Sequence, residues 1–199
     1  MKKSFKVLVI IKNMKRLKIL PVYPKFPPTF WGFNYSLPFI GKKAVMTPTG
    51  LATVAAMIPQ EQFEVQRIID LNIEPLTNEQ IKNCDLVATS SMIIQEDSNN
   101  EIIDRAHFYG KKVVVGGPFP TSYTERTSNA DYRVCGEAEI TLKPFLEDLL
   151  NGTAKREYTE KEVIEQGRFS GKLTKESKPL LTQTPIPRWD LINLDAYNS

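Results

Sequence analysis

The strongest constraint on this chain is a rhythm. Five short apolar runs, Leu17–Val22, Phe63–Asp70, Asp85–Ser90, Lys112–Val115 and Asp131–Cys135, alternate with stretches patterned as helices. Strands that alternate with helical segments pair in parallel, because each crossover helix returns the chain to the same edge of the sheet. Such crossovers are right-handed in nearly all proteins. The expected fold is therefore α/β, a flavodoxin-like (Rossmann-like) five-stranded parallel sheet of order 2-1-3-4-5 with an extended C-terminal tail. In such sheets ligands bind beyond the carboxyl ends of the strands, near the point where the strand order reverses.

Local signals set the helix limits. Pro48–Ile58 carries Leu51, Val54, Ala55 and Ile58 at helical spacing, and Pro59 ends it. Thr77-Asn78-Glu79-Gln80 reads as a capping box opening a short helix to Asn83, and Ser98-Asn99-Asn100-Glu101 as a second one. The helix after the latter stops at Gly110. Pro120–Ser128 reads as a further short helix. Ile140–Leu150 is the last helix, with Pro144 expected in its first turn, where proline is tolerated. Between the first strand and first helix lies a loop, Tyr23–Thr47, rich in proline and aromatic residues. A connection that long within a compact domain is usually functional.

The organisation expected is an N-terminal extension (1–16), an α/β domain (17–152) and a linker or tail (153–199), the last ordered only if something packs on it. Residues 5–11 are open to an extra strand, and Met14 to being the natural start. A net charge of +3 with no basic stripe argues against nucleic acid. The longest apolar run, Val7–Ile11, is far too short to span a bilayer. Lys12-Asn13-Met14-Lys15-Arg16 follows it where an export signal needs small residues, so a cytoplasmic location is expected. Cys84, Cys135 and the single histidine, His107, cannot by themselves build a zinc or iron–sulfur site. No metal ligand and no catalytic residue is expected from this chain.

The chemistry-bearing residues cluster at predicted strand ends. Thr89, Ser90 and Ser91 offer short-range hydroxyls, with Met92 beside them. Gly116 and Gly117 let a flat or bulky ligand approach the backbone, unless they only make a tight turn. Gly136 and Glu137 follow the fifth strand; Glu137 and Glu139 are candidates for an acid/base pair, but successive loop carboxylates are usually solvated. Gly167–Leu173 falls one residue short of a phosphate loop and no strand precedes it. G-x-G-x-x-G and G-x-S-x-G are both absent. His107 falls late in its helix, at the end of the sheet away from the ligand side, where a solvated histidine is expected.

Several strings in fixed order resemble one family. They are P-V-Y-P-K-F-P-P-T-F-W, T-P-T-G-L-A-T-V-A-A-M-I-P, D-L-N-I-E-P-L-T, A-T-S-S-M-I-I-Q, V-V-V-G-G-P-F-P-T-S-Y, G-E-A-E-I-T-L and T-P-I-P-R-W-D-L-I. Over roughly residues 17–199 the chain resembles the N-terminal cobalamin-binding region of cobalamin-dependent (class B) radical SAM proteins, in the branch with hopanoid methylases and the magnesium-protoporphyrin cyclase type. The resemblance implies a cobalamin carrier acting with a radical SAM domain in cis or trans. In such enzymes an iron–sulfur cluster cleaves S-adenosylmethionine to a radical, an unactivated carbon loses a hydrogen atom, and methylcobalamin usually supplies a methyl group. It places Thr89, Ser90, Ser91 and Met92 along the cobalamin, Gly116 and Gly117 at its nucleotide tail, Gly136 and Glu137 beside that tail, and Tyr23, Phe30 and Trp31 near the corrin.

Two departures stand out. The D-x-H-x-x-G motif that supplies a histidine to cobalt elsewhere is missing, so cobalamin is expected without a protein histidine on the metal. The family's cysteine triad is missing as well; it would follow the segment matching Leu191–Ser199, as in a truncated or split gene. This chain alone is then not expected to cleave S-adenosylmethionine. The alternatives are another small-ligand or nucleotide-binding α/β domain, and a non-catalytic interaction remnant.

Overall fold

The computed structural model describes residues 15–176 and 178–198. The possible strand at 5–11 and the possible start at Met14 lie outside them. Strand β1 (Leu17–Tyr23) leads through the long loop to helix α1 (Thr49–Met57). Strands β2 (Phe63–Val65) and β3 (Ile69–Asp70), helix α2 (Asn78–Lys82), strand β4 (Leu86–Ser90) and helix α3 (Glu96–Phe108) follow. Then come β5 (Lys112–Gly116), α4 (Pro118–Ser122), β6 (Tyr132–Val134), α5 (Ala138–Leu150), β7 (Glu157–Tyr158) and α6 (Glu160–Glu165). All pairings are parallel, in the order β2-β1-β4-β5-β6-β7, with β3 also on β1.

The expected order holds, but the sheet has seven strands where five were read. The expected second strand is two pieces on the same edge of β1. Ile68 breaks the ladder by turning its N–H to the carbonyl of Leu191 in the C-terminal segment. The last strand, β7, was missed because residues 153–178 are weakly apolar. Both of its side chains are anchored, Glu157 by accepting from Arg133 Nε of β6 at 2.9 Å and Tyr158 in the core. Tyr158 is buried, packs edge-on against Phe145 at 5.6 Å and donates its hydroxyl to Asp148 at 2.7 Å.

Alternation along the strands divides the core. Leu20, Val22, Val87, Val113 and Val115 meet α2 and α3 on one face. Ile19, Leu86, Val114, Tyr132 and Val134 meet α1 and α5 on the other. A third cluster joins α1 to the end of the chain through Leu191, Ile192, Ala196 and Tyr197. The C-terminal segment thus has something to pack on, and it covers the β2/β3 edge that would otherwise present unpaired backbone groups.

Helix boundaries differ from expectation where tertiary bonds compete. The Thr77 box forms, with the Thr77 hydroxyl accepting from Gln80 N–H and Gln80 Oε1 accepting from Thr77 N–H. The Ser98 box does not form. The Ser98 hydroxyl accepts from Lys25 N–H, and α3 starts earlier, at Glu96. Helix α5 starts at Ala138, which moves Pro144 out of the first turn into the helix interior. The Pro120–Ser128 helix begins at Pro118 and gives way to a 3-10 turn at Thr124–Thr127.

Candidate functional site

The sheet face under α1 and α5 tapers toward its carboxyl end. On β4 the side chains facing these helices run Leu86, Ala88, Ser90, and on β5 Val114, Gly116, so bulk falls away along both central strands. The helices cannot follow the retreat, and a narrow slot opens between sheet and helices. Its walls include Val54 and Leu51 of α1 and Ala138, Leu142 and Phe145 of α5. Ala88 and Ser90 stay partly exposed although β4 has neighbours on both sides.

The slot shares Val54, Ser90, Gly117, Gly136 and Ala138 with an open cleft of about 770 Å³ at the carboxyl edge. That cleft is walled further by Gly50 and Thr53 of α1, Thr121 of α4, Cys135, Glu137, Glu160 and Lys178. Apolar depth with polar groups at the mouth suits an amphipathic ligand with a flat apolar end.

The two glycine turns shape this mouth differently. Gly117 has φ +92°, and a Cβ there would stand 2.7 Å from Ser90 Oγ and 3.1 Å from Ser91 N, so only glycine lets the β5–α4 turn close on β4. Gly116 has ordinary φ and faces the slot, and its absent side chain is open floor. At Gly136 (φ +86°) the space a Cβ would need is taken by the carboxylate of Glu160, which accepts the Glu137 N–H at 2.6 Å.

The structure gathers some of the expected residues and separates others. Thr89, Ser90, Gly116, Gly117, Gly136 and Glu137 line the slot or the cleft. The Thr89 hydroxyl donates to Asn99 Oδ1 of α3 at 2.7 Å, on the opposite face. Ser91 is buried, its carbonyl accepting from Phe119 N–H. Met92 is exposed just past β4, its N–H donating to Gln95 Oε1 at 2.9 Å. Glu137 and Glu139 have separate partners, Glu137 pairing with Lys178 at 2.9 Å and Glu139 accepting from the Thr184 hydroxyl. Cys135 is buried, which pushes its thiol up to about 11 and leaves it protonated at neutral pH.

Tyr23, Phe30 and Trp31 belong to the long loop and its root. Tyr23 stacks edge-on against Phe26 at 5.8 Å, and burial, then the nearby Asp70 carboxylate, raises its pKa. Phe30 lies in a 3-10 turn (Phe30–Gly32) with its ring 80% exposed, and Trp31 shares that turn. The root of the loop is tied down. Asn72 Oδ1 accepts from Phe26 N–H, and the Pro24 carbonyl accepts from the side-chain amides of Asn72 and Gln95. Asp70, 1% exposed, accepts from Tyr197 Oη at 2.7 Å and from Asn72 N–H at 2.8 Å. Burial raises the Asp70 pKa against the lowering effect of these donors.

Sequence reasoning missed Ala88, Val54 and Ala138, which line the slot, and Thr53, which lines the cleft. The signal was present as decreasing side-chain size along alternate strand positions. His107 lies where expected, at the far end of the sheet, with Nε2 2.8 Å from Asp131 Oδ2 at the start of β6. Among the described residues no group of three or more His, Cys, Asp or Glu could hold a metal ion, and no helix is long and apolar enough to cross a membrane.

A parallel α/β sheet with an apolar slot opening at the carboxyl ends of its central strands defines a ligand-binding domain of the flavodoxin-like class. The B12 binding domain family matches residues 42–146, more than half of the chain, and the chain belongs to that family. The matched span holds α1 through most of α5 and so contains the slot's lining residues apart from Ile19 of β1. An uncharacterized methyltransferase of Synechocystis sp. is 39% identical over 186 residues, 92% of this chain and 31% of that protein. The hopanoid C-2 methylase of Rhodopseudomonas palustris is 29% identical over 181 residues, 90% of this chain and 32% of that protein. An uncharacterized methyltransferase of Pyrococcus horikoshii is 29% identical over 199 residues, 94% of this chain and 41% of that protein. The chain thus spans roughly a third of the length of the first two relatives and somewhat more of the third.

Proposed function

We propose that this chain is the cobalamin-holding module of a cytoplasmic radical SAM methyltransferase acting at an unactivated carbon, with the iron–sulfur cluster and S-adenosylmethionine held by a separate domain. The observation that carries the reading is the tapered slot. Ala88, Ser90 and Gly116 leave the floor open, Val54 and Leu142 wall it, and the mouth widens to a cleft large enough for a bulky headgroup. The slot would hold the flat apolar base of a nucleotide tail, and the rim of Thr53, Thr121 and Glu137 would hold the polar remainder of the cofactor. When bound, cobalamin would supply a cobalt-held methyl group for transfer.

The chain's own residues bind, orient and exclude water. The slot takes an apolar base out of solvent at roughly 25 cal/mol per Å² of apolar surface buried. His107, the only histidine in the sequence, is on the far side of the sheet, so the cobalt would carry no histidine from this chain. Beyond the cleft, Met92, Ile93 and Ile94 after β4 and Phe30, Phe33, Tyr35 and Phe39 in the long loop are exposed. Apolar side chains at that edge favour contact with the partner domain.

The test is direct. The purified chain is mixed with hydroxocobalamin and desalted, and its visible spectrum is recorded. Retained cobalamin without histidine coordination is expected. A protein that retains none, alone or joined to a radical SAM domain, overturns the reading.

A further inference from the structure

Residues 172–176 and 178–184 form a finger over the seam between α1 and α5. Its two arms hold each other. Leu173 and Pro179 form an antiparallel bridge, Thr174 N–H donates to the Lys178 carbonyl at 2.7 Å, and Gln183 Oε1 accepts from Lys172 N–H at 2.7 Å. The base of the finger packs at Gly171 and Gln183 in a pocket shared with Met57 of α1 and Glu139 and Lys143 of α5. The Thr184 hydroxyl donates to Glu139 at 2.6 Å, and Arg188 N–H donates to the Ala52 carbonyl of α1 at 3.1 Å.

Among the described residues of the finger, only Lys178 lines the cleft itself. Its ammonium lies 2.9 Å from Glu137 Oε1 and 3.7 Å from Glu160 Oε1. These carboxylates come from separate elements, the β6–α5 turn and the first residue of α6, and both line the cleft. The Glu160 carboxylate also fills the space over Gly136 and holds the Glu137 N–H. One cation therefore pins the finger to both carboxylates on one wall of the mouth.

We infer that residues 172–176 and 178–184 are a strap latched at the mouth of the ligand cleft by Lys178, and that ligand entry and escape require Lys178 to leave Glu137 and Glu160. The inference rests on the cobalamin reading for the identity of the ligand. The strap is built to open. Its only charged anchor inside the cleft is solvent-exposed, and exposed pairs hold weakly and are screened by salt. The Glu137 N–H and the space over Gly136 become available to a ligand when the Glu160 carboxylate moves with the released lysine.

Two measurements test it on the whole chain. The first is hydrogen exchange of the backbone amides of residues 172–176 and 178–184 in the free protein, for wild type, Lys178→Met and Lys178→Arg. Lys178→Met should raise their exchange about two- to fivefold, the range of one or two exposed ion pairs, and Lys178→Arg should not. The second is stopped-flow association of hydroxocobalamin at 50 and 500 mM sodium chloride (conditions about one Debye-length regime apart). Association should quicken by a similar factor in Lys178→Met, and with salt in wild type but not in that variant. Unchanged exchange overturns the latch whatever the ligand. Faster exchange with unchanged association overturns the gate and leaves the cobalamin reading standing. Failure of every form to bind cobalamin overturns that reading and the gate with it, while the exchange data still decide whether the latch exists.

Discussion

Replacing Ala88 with leucine should raise stability and abolish cobalamin retention together. Ala88 lies in the middle of β4, paired with Pro21 of β1 and Val114 of β5, yet it remains partly exposed because the slot stands open above it. Leucine adds three carbons to that space. At about 0.8 kcal/mol per buried CH₂ the gain is roughly 2 kcal/mol. Strain from packing against Val54 and Leu142 would return about 1 kcal/mol of it. A net gain near 1 kcal/mol corresponds to a rise of roughly 2–4 °C in the melting temperature of a chain this size. The assay pairs thermal unfolding with the visible spectrum after hydroxocobalamin loading and desalting. An ordinary core alanine would give the opposite signature, destabilisation by overpacking. A fall in melting temperature would show that the slot is not spare space. A stabilised protein that still retains cobalamin at the wild-type ratio would show that the slot is not where the ligand goes.

Three further outcomes follow from particular contacts. Gly117→Ala should cost about 2–3 kcal/mol in chemical denaturation, from a Cβ forced onto positive φ and against Ser90 and Ser91; a change below ~0.5 kcal/mol would refute the close approach. Tyr197→Phe removes a donor from buried Asp70 and should cost about 1.5–3 kcal/mol at neutral pH. Because burial raises the Asp70 pKa, folding binds that proton more tightly, and Asp70 favours folding most at low pH and least once pH has risen through its raised value. Tyr197 opposes that rise, so the Tyr197→Phe penalty should shrink as pH falls and Asp70 protonates, and a pH-independent penalty would contradict the pairing. Arg168→Gln should cost about 0.5–1 kcal/mol at pH 7 by removing two hydrogen bonds to Asp148. Arg168 holds the Asp148 pKa below the usual range, so this contribution is present above that range and vanishes as acid protonates the carboxylate, which urea unfolding at several pH values can follow.

The sequence showed the sheet order and most of the helices because both depend on short-range pattern. Strand residues alternate every two positions and helix residues every three or four, and glycine or proline marks the ends. It pointed to the strand ends where the cleft lies for the same reason, since Gly116, Gly117 and Gly136 stand just where apolar runs stop. It misread the second strand, the Ser98 cap and the place of Pro144 in α5. In the first two, a partner far along the chain takes the group that local pattern assigns elsewhere: Leu191 takes the Ile68 N–H, and Lys25 takes the Ser98 hydroxyl. β7 escaped notice because one buried tyrosine is too little periodicity to read.

What the sequence determined by itself is the α/β class, the parallel order and the ligand end of the sheet, because backbone pairing and periodicity are written locally. Tertiary structure decided which of the strand-end side chains face the cleft. Thr89 and Ser90 are adjacent and chemically alike, yet the pleat sends one hydroxyl to Asn99 and the other into the cleft. Tertiary structure also decided that the C-terminal segment buries Tyr197 against Asp70 and that Lys178 meets Glu137 at the mouth of the cleft. Those contacts join positions more than a hundred residues apart in the first case and about forty in the second, and no local pattern encodes a partner at that distance.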